Sequence, residues 1–348
     1  MLRRDDKVIG VASAADIVSA AEVVSSADMV SASKVARVTI VTCYYKVPSK
    51  HSGGEYETWI GNFANYMSGK AIVLFTDRQS AVVLSKYLDL SSIYVIYKDL
   101  ADFEIVKRYH DKWQVQESLD KENRTKYCYM IWNCKMSMVA EAIQRNPYSS
   151  DKFVWNDIGN IRKPKLPFSL ASYPDYNKIS DHKLDIVCTS NRLHISRLQH
   201  KYRRRTSVGG NAVSSNIVSN YNNVSALPAE MPVHCYSNSI LAASRQVWLQ
   251  VIPKYYAVLD YYISRDKFAG CDEQLMTCCI LQYPSLFNVI LPIKPVYDLW
   301  FYMYEYHCYP HRRRTNPIIM LPHLRYLFHR FIVGPVNGTL LNIYDPAG

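Results

Sequence analysis

A single acid follows an apolar segment near the middle of the chain. Residues 153–156, Phe-Val-Trp-Asn, are typical of a buried strand; Asp157 comes next, and Gly159 lies in the turn behind it. A carboxylate at the end of a central strand can hold a hard divalent cation, whose open positions accept the diphosphate oxygens of a nucleotide-sugar. Aspartate also caps turns and helices without any catalytic role. Asp157 is therefore a candidate metal ligand, with capping as the alternative.

Two adjacent acids mark a second candidate site. Asp272 and Glu273 follow Gly270 at the start of a helix predicted over 271–282. A carboxylate at this position that faces a cleft can take the proton of an acceptor hydroxyl as a general base. Acids in the first turn also stabilise a helix without any catalysis, so a purely capping role remains the alternative.

Strands and helices alternate through the first half of the chain. The predicted strands occupy 38–42, 71–76, 92–97 and 152–155. After the first of them, one helix face is formed by Tyr56, Trp59, Ile60, Phe63 and Met67. This alternation predicts an α/β fold with a mostly parallel sheet flanked by helices. Ligands bind at the carboxyl ends of such strands, so the residues after Thr42, Thr76 and Trp155 are expected to line the site.

The remaining elements are less regular. Asn133 is expected to cap a helix that ends before Pro147. Further strands are predicted over 185–189 and 287–291, and a helix over 244–263 that is interrupted near Pro253. No linker divides residues 37–348, which we predict to form one domain.

Residues 1–36 form a low-complexity leader that contains a short sequence repeat. Residues 13–36 contain four hexapeptides that each begin with serine. Six residues advance a helix by about 600°, so the repeat builds no stable apolar stripe. Four short rungs without glycine also make a poor β-helix, and we expect a leader of low functional weight that is loosely ordered or packs on the body of the protein.

Composition excludes several classes of protein. The chain has 348 residues, 49% of them hydrophobic and 20% charged, with 12 glycines and 16 prolines, as in an ordinary globular protein. It contains no apolar run of about eighteen residues, so no transmembrane segment is expected. Acids interrupt the residues after the amino terminus, where a secretory signal would be apolar. Nine scattered cysteines without a C-x-x-C pair indicate reduced thiols and a cytoplasmic location.

A net charge of +11 favours polyanionic partners. Two segments carry clusters of positive charge: Arg192, Arg197, Lys201 and Arg203–Arg205 in the first, and Arg312–Arg314 in the second. Each is a candidate surface for binding an anionic ligand, and the alternative is an exposed, solvated segment without a binding role.

Several segments, in this order, resemble a known family. They are residues 38–44 (VTIVTCY), Trp59, residues 72–77 (IVLFTD), 131–135 (IWNCK), 141–147 (EAIQRNP), 153–159 (FVWNDIG) and 272–274 (DEQ). Together they are similar to the bacterial HtrL/YibB (WlaTC) family, whose members are glycosyltransferases of GT-A type. The resemblance covers about residues 37–290.

The resemblance implies a GT-A-like, Rossmann-type fold with a nucleotide-binding half (37–165) and an acceptor half with a basic, aromatic tail (166–348). It implies that Asp157 binds Mn²⁺ or Mg²⁺ together with the diphosphate of the donor. In some GT-A enzymes a carboxy-terminal histidine completes the metal shell, so the resemblance also makes His307 and His311 candidate ligands. It also implies that Thr42 and Tyr44 hold the nucleotide, that Lys135 and Arg162 neutralise diphosphate charge, and that Asp272 or Glu273 serves the acceptor. These implied site residues are Thr42, Tyr44, Lys135, Asp157, Arg162, Asp272 and Glu273. Two departures from the family pattern are the single acid in Asn156-Asp157-Ile158-Gly159 and the missing glycines in 235–244.

The leading hypothesis is thus a metal-assisted glycosyltransferase. Its partners would be a nucleotide-sugar donor and a glycan or other hydroxyl acceptor. One alternative is a nucleic-acid-binding protein that uses the basic segments and the many tyrosines. That hypothesis does not explain an acid at the end of a buried strand, so nucleic acid is not the expected partner. The other alternative is a non-catalytic binding protein with the same fold.

Overall fold

The protein is described by a computed structural model that covers residues 35–49, 51–122, 124–190, 227, 231–232, 234–292, 295–309 and 342–343. Its strands are β1 (Val38–Tyr44), β2 (Ile72–Thr76), β3 (Tyr94–Tyr97), β4 (Lys152–Asn156), β5 (Leu184–Cys188), β6 (Tyr236–Ser244), β7 (Phe287–Leu291) and β8 (Asn342–Ile343). Its α-helices are α1 (Gly53–Met67), α2 (Arg78–Leu84), α3 (Glu104–Arg108), α4 (Lys112–Leu119), α5 (Lys126–Arg145), α6 (Arg245–Ile263), α7 (Asp272–Gln282) and α8 (Tyr302–Cys308). The predicted leader lies almost entirely outside the described residues.

The strands form one eight-stranded sheet in the order β3-β2-β1-β4-β6-β5-β7-β8. Every described strand pair is parallel except the two pairs that β6 forms, with β4 and with β5. The prediction of a mixed, mostly parallel α/β sheet flanked by helices is confirmed. Because β6 runs against β4, the start of β6 lies beside the end of β4.

Alternate residues of the central strands pack on opposite faces of the sheet. On one face, Val41, Phe153 and Trp155 join the cores of α4, α5, α6 and α7. On the other face, Ile40 and Val154 join α1, α2 and α8. This period of two follows from the pleat of the strand, and it gives each sheet face its own layer of helices.

Two predicted boundaries were wrong. Asn133 does not cap a helix, because α5 begins earlier, at Lys126, and Asn133 lies fully buried inside it. Its side-chain NH₂ donates to the carbonyl of Tyr129, one turn earlier, and to the carbonyl of Gly270. Helix α6 is continuous through Pro253, which removes one backbone hydrogen bond. Ten buried side chains along α6 hold it in place despite that loss.

Strand β6 was not predicted, although it is the longest strand described, with nine residues. Three of its first four residues, Ser237, Asn238 and Ser239, are not residues that favour strands, and its burial on both faces removes any alternation of polar and apolar residues. All nine cysteines are free thiols. Among the described residues there is no helix with both the length and the apolar character that crossing a membrane requires.

Candidate functional site

A cleft of about 1080 Å³ opens at the carboxyl ends of β1 and β4. Residues 43–49, at the end of β1 and just after it, and residues 157–160 after β4 line two of its sides. The start of α7 closes a third side, and the midpoint of α5 contributes Lys135. Thus the edge of the sheet expected to bind ligand carries a large cleft, and the predicted acids meet there.

Asp157 lies at the mouth of this cleft with its side chain one-third exposed. The indole N–H of Trp155 donates to Asp157 Oδ1 at 2.7 Å, since residues two apart on a strand point the same way. A 3₁₀ turn, Ile158–Asn160, follows, but the Asp157 carboxylate makes no capping hydrogen bond to it. The carboxylate is therefore directed at the cleft and at Lys135, and the capping alternative does not describe it.

Lys135 projects from α5 and is almost fully buried. Its Nζ lies 2.9 Å from Asp272 Oδ2 and 3.2 Å from both carboxylate oxygens of Asp157. It also donates to the carbonyl of Asn238, at the start of β6, at 3.2 Å. An ammonium has three protons to donate, and these three groups surround it.

Asp272 and Glu273 occupy the first turn of α7, but their environments differ. Asp272 is buried against Lys135, and the helix cap is Cys271. Glu273 is partly exposed to the cleft, and its Oε1 accepts a hydrogen bond from Trp300 Nε1 at 2.9 Å. Among the described residues, no cation forms an ion pair with Glu273. The two acids therefore have separate partners, and Glu273 is the one without a counter-charge.

Burial and mutual repulsion shift the pKa values of this cluster. Burial, then the negative charge of Asp272, raises the pKa of Glu273 to about 8. Burial also raises the pKa of Asp157, against the opposing effect of Lys135. For Lys135, burial favours the neutral amine, but Asp157 and Asp272 outweigh it, and the pKa lies above its ordinary value. At neutral pH Lys135 is charged and Glu273 mostly carries its proton.

Aromatic rings form the opposite wall of the cleft. The Tyr56 ring lies 5.1 Å from Trp59 and 6.4 Å from Tyr44, and His51 lies 4.9 Å from Trp59, measured between centroids. Tyr44 lines the cleft, as expected of a residue at the end of β1. Thr42 does not line it: two residues deeper in β1, this side chain is fully buried between neighbouring strands.

Arg162 supplies a positive charge at the rim. Its guanidinium carbon lies 4.8 Å from the centre of the Trp59 ring and 5.0 Å from that of Phe301. Arg162 is exposed and lines the cleft, and no acid in the described part of the chain pairs with it. A guanidinium that is stacked between rings and lacks a carboxylate partner is preorganised for a phosphate.

The resemblance implies a Mn²⁺ or Mg²⁺ ion at Asp157, and such an ion would need several oxygen ligands around it. Carboxylate oxygens suit such ions, and Mg²⁺ binds them at about 2.0–2.1 Å. However, the Lys135 ammonium already occupies the space between Asp157 and Asp272. No group of three His, Cys, Asp or Glu residues within the described ranges is arranged to hold a metal. As folded, these residues do not fit a divalent cation, and metal use stays a prediction.

Several residues of the site were not singled out from the sequence. Trp155 and Trp300 fix the two acids that face the cleft, and Asn238 contacts both Lys135 through its carbonyl and the Asp272 carbonyl through its side-chain NH₂. The run of small and polar residues at 235–239 was a signal for Asn238; nothing marked Trp300. His307 is buried, accepts a hydrogen bond from the Asp175 amide and does not line the cleft. His311 and the two basic segments lie outside the described residues.

The chain was compared with known proteins. No family model and no curated protein matches it, so the resemblance to the HtrL/YibB family stays a prediction. Among solved structures, it is similar to the apo form of mouse xyloside xylosyltransferase 1, with 12% sequence identity and a TM-score of 0.39, over 79% of this chain and 95% of that one. A functional conclusion must therefore rest on the geometry of the cleft.

Proposed function

We propose that this chain is a glycosyltransferase that moves a sugar from a nucleoside diphosphate to a hydroxyl acceptor. One observation carries the proposal: a cleft at the carboxyl edge of a mostly parallel sheet holds an arginine that pairs with no acid in the described ranges, together with an acid of raised pKa. Aromatic rings and Arg162 suit a base and a diphosphate. Glu273 suits the removal of a hydroxyl proton near neutral pH.

The ligand is proposed to lie across the cleft in one direction. The nucleoside lies against the aromatic wall of Tyr44, Tyr56 and Trp59, and Arg162 meets the diphosphate. The sugar then lies near Asp157, whose exposed carboxylate can accept hydrogen bonds from sugar hydroxyls. The acceptor enters beside Glu273 and Trp300.

The proposed reaction is a direct displacement at the anomeric carbon of the donor sugar. The acceptor oxygen forms a bond to the anomeric carbon, and the bond from that carbon to the diphosphate oxygen breaks. The electron pair of the broken bond stays on the leaving diphosphate, where Arg162 offsets the added negative charge. The hydroxyl proton passes to the carboxylate of Glu273, which is preferred to Asp272 because Asp272 is tied to Lys135.

The test combines ligand binding with turnover. A panel of nucleoside diphosphates should raise the melting temperature of the protein, and the matching nucleotide-sugar should be hydrolysed slowly to the free diphosphate. Arg162→Gln should weaken nucleotide binding about tenfold or more, since a hydrogen bond to a charged group is worth about 1.5–3 kcal/mol. Lys163→Gln is the matched control, because Lys163 neighbours Arg162 but does not line the cleft. If no nucleotide binds, or if both variants lose binding equally, the proposal is wrong.

A further inference from the structure

The position of Lys135 is fixed by three different elements of the fold. Asp157 follows β4, Asp272 begins α7, and the carbonyl of Asn238 belongs to β6. The side chain of Lys135 is 4% exposed, and Nζ lies 2.9–3.2 Å from all three acceptors. The ammonium is therefore a built-in part of the cluster rather than a surface charge that happens to lie near an acid.

The residues that surround the Lys135 ammonium are also hydrogen-bonded to one another and to their neighbours. The amide of Asp157 donates to the carbonyl of Ser239 at 2.9 Å, and Asn238 Nδ2 donates to the carbonyl of Asp272 at 2.8 Å. These bonds join the end of β4, the start of β6 and the start of α7. They fix the backbone positions from which the carboxylates of Asp157 and Asp272 reach Lys135, and the indole N–H of Trp155 holds the Asp157 carboxylate itself.

A lysine held in this way does what a divalent cation would do for the two acids. It neutralises charge between them and keeps them close without any ion from solution. A metal ion bound to the same oxygens would lie close to the ammonium, and the two positive charges would repel each other. The oxygens that Lys135 occupies are the ones that the metal would need.

We propose that Lys135 replaces the divalent cation in this protein, so that the cleft binds its nucleoside diphosphate without a metal. The diphosphate charge is then met by Arg162 at the rim. The part of this inference that concerns the ligand rests on the proposed function. The part that concerns the cation site does not, because it can be measured on the protein alone.

Titration of the full chain with Mn²⁺, followed by the loss of the free-ion EPR signal, tests the cation site without any nucleotide. The wild-type protein should bind Mn²⁺ with a dissociation constant on the order of 1 mM or weaker at this site, which is as weak as the weakest protein Ca²⁺ sites. Lys135→Met removes the ammonium and leaves an unbranched side chain one atom shorter, so that the two carboxylates face each other without a charge between them. This variant should gain Mn²⁺ affinity at least tenfold, and the gain should disappear when Asp157→Asn is added. Lys163→Met, outside the cleft, should gain nothing.

The inference is overturned if the wild-type protein binds Mn²⁺ at micromolar concentration and Asp157→Asn abolishes that binding. It is also overturned if folded Lys135→Met gains no affinity. Circular dichroism shows whether that variant folds; if it does not, the wild-type titration decides. Nucleotide-induced thermal shifts should be equal in EDTA and in Mn²⁺, and a shift that needs Mn²⁺ contradicts the inference. A protein that binds no nucleotide under either condition refutes the proposed function, while the Mn²⁺ titration still decides the role of Lys135.

Discussion

The raised pKa of Glu273 makes a quantitative prediction about pH. A carboxyl with a pKa of about 8 is roughly 10% ionised at pH 7 and about 90% ionised at pH 9. If Glu273 takes the acceptor proton, only the ionised form is active. The rate of donor hydrolysis should therefore rise about tenfold for each pH unit below 7 and level off above about pH 8.5. An unburied glutamate, with its ordinary pKa near 4.5, would give a flat profile over this range.

Glu273→Gln separates this group from others in the cleft. The amide oxygen can still accept the hydrogen bond from Trp300, but it cannot take a proton, so the rate should fall by about 10²–10⁴ and lose its pH dependence. Glu57→Gln is the control, because Glu57 also lines the cleft but hydrogen bonds from Tyr87 and Lys86 lower its pKa. That variant should keep the inflection near pH 8.

Two measurements report the same ionisation without turnover. The emission of Trp300, isolated by subtracting Trp300→Phe, should change with a midpoint near pH 8 and lose that change in Glu273→Gln. The folded state binds the Glu273 proton more tightly than the unfolded chain, so the stability of the wild type should fall between about pH 4.5 and 8 relative to Glu273→Gln. An inflection that survives in Glu273→Gln, or a fluorescence midpoint near pH 4.5, would refute the assignment of the base.

Two substitutions test the packing behind the site. Gly270→Ala should lower the free energy of unfolding in urea by about 1–3 kcal/mol, because the new Cβ would lie 2.6 Å from the Tyr129 ring. Gly54→Ala is the control and should cost nothing, because no atom lies within 4 Å of its new Cβ. Equal unfolding midpoints for the two variants would contradict this prediction. Asn133→Leu leaves the Gly270 carbonyl and the Tyr255 hydroxyl without their partner, and it should lower the free energy of unfolding by about 1–3 kcal/mol for each of them. An unchanged unfolding midpoint would show that those groups find other partners.

The first half of the fold could be predicted because its local and tertiary signals agree. The β-branched run before Tyr44 and the apolar helix face of α1 have the periods of a buried strand and of a helix packed on a sheet. Strand β6 could not be predicted because tertiary contact decides its structure. It pairs with β4 and β5, which are distant in sequence, and both of its faces are buried.

The acids of the site were predictable, but their partners were not. Asp157 stands out because it follows a strand, and the sheet topology brings the residue after a central strand to the ligand edge. No local pattern reveals that Lys135 crosses to meet both Asp157 and Asp272, since the three residues come from separate parts of the chain. The sequence therefore indicated a cation site, whereas the tertiary structure indicates which group fills it.

The contrast between Asp272 and Glu273 explains how one helix start can serve two purposes. Both acids lie at the amino-terminal end of α7, where the helix dipole favours negative charge. Successive residues project about 100° apart on a helix, so Asp272 meets Lys135 inside the protein while Glu273 meets Trp300 at the cleft. The ion pair commits Asp272 to holding the cluster together. Glu273 is only partly exposed, pairs with no cation in the described part of the chain and lies beside a negative neighbour, and so it is the acid able to exchange a proton near neutral pH.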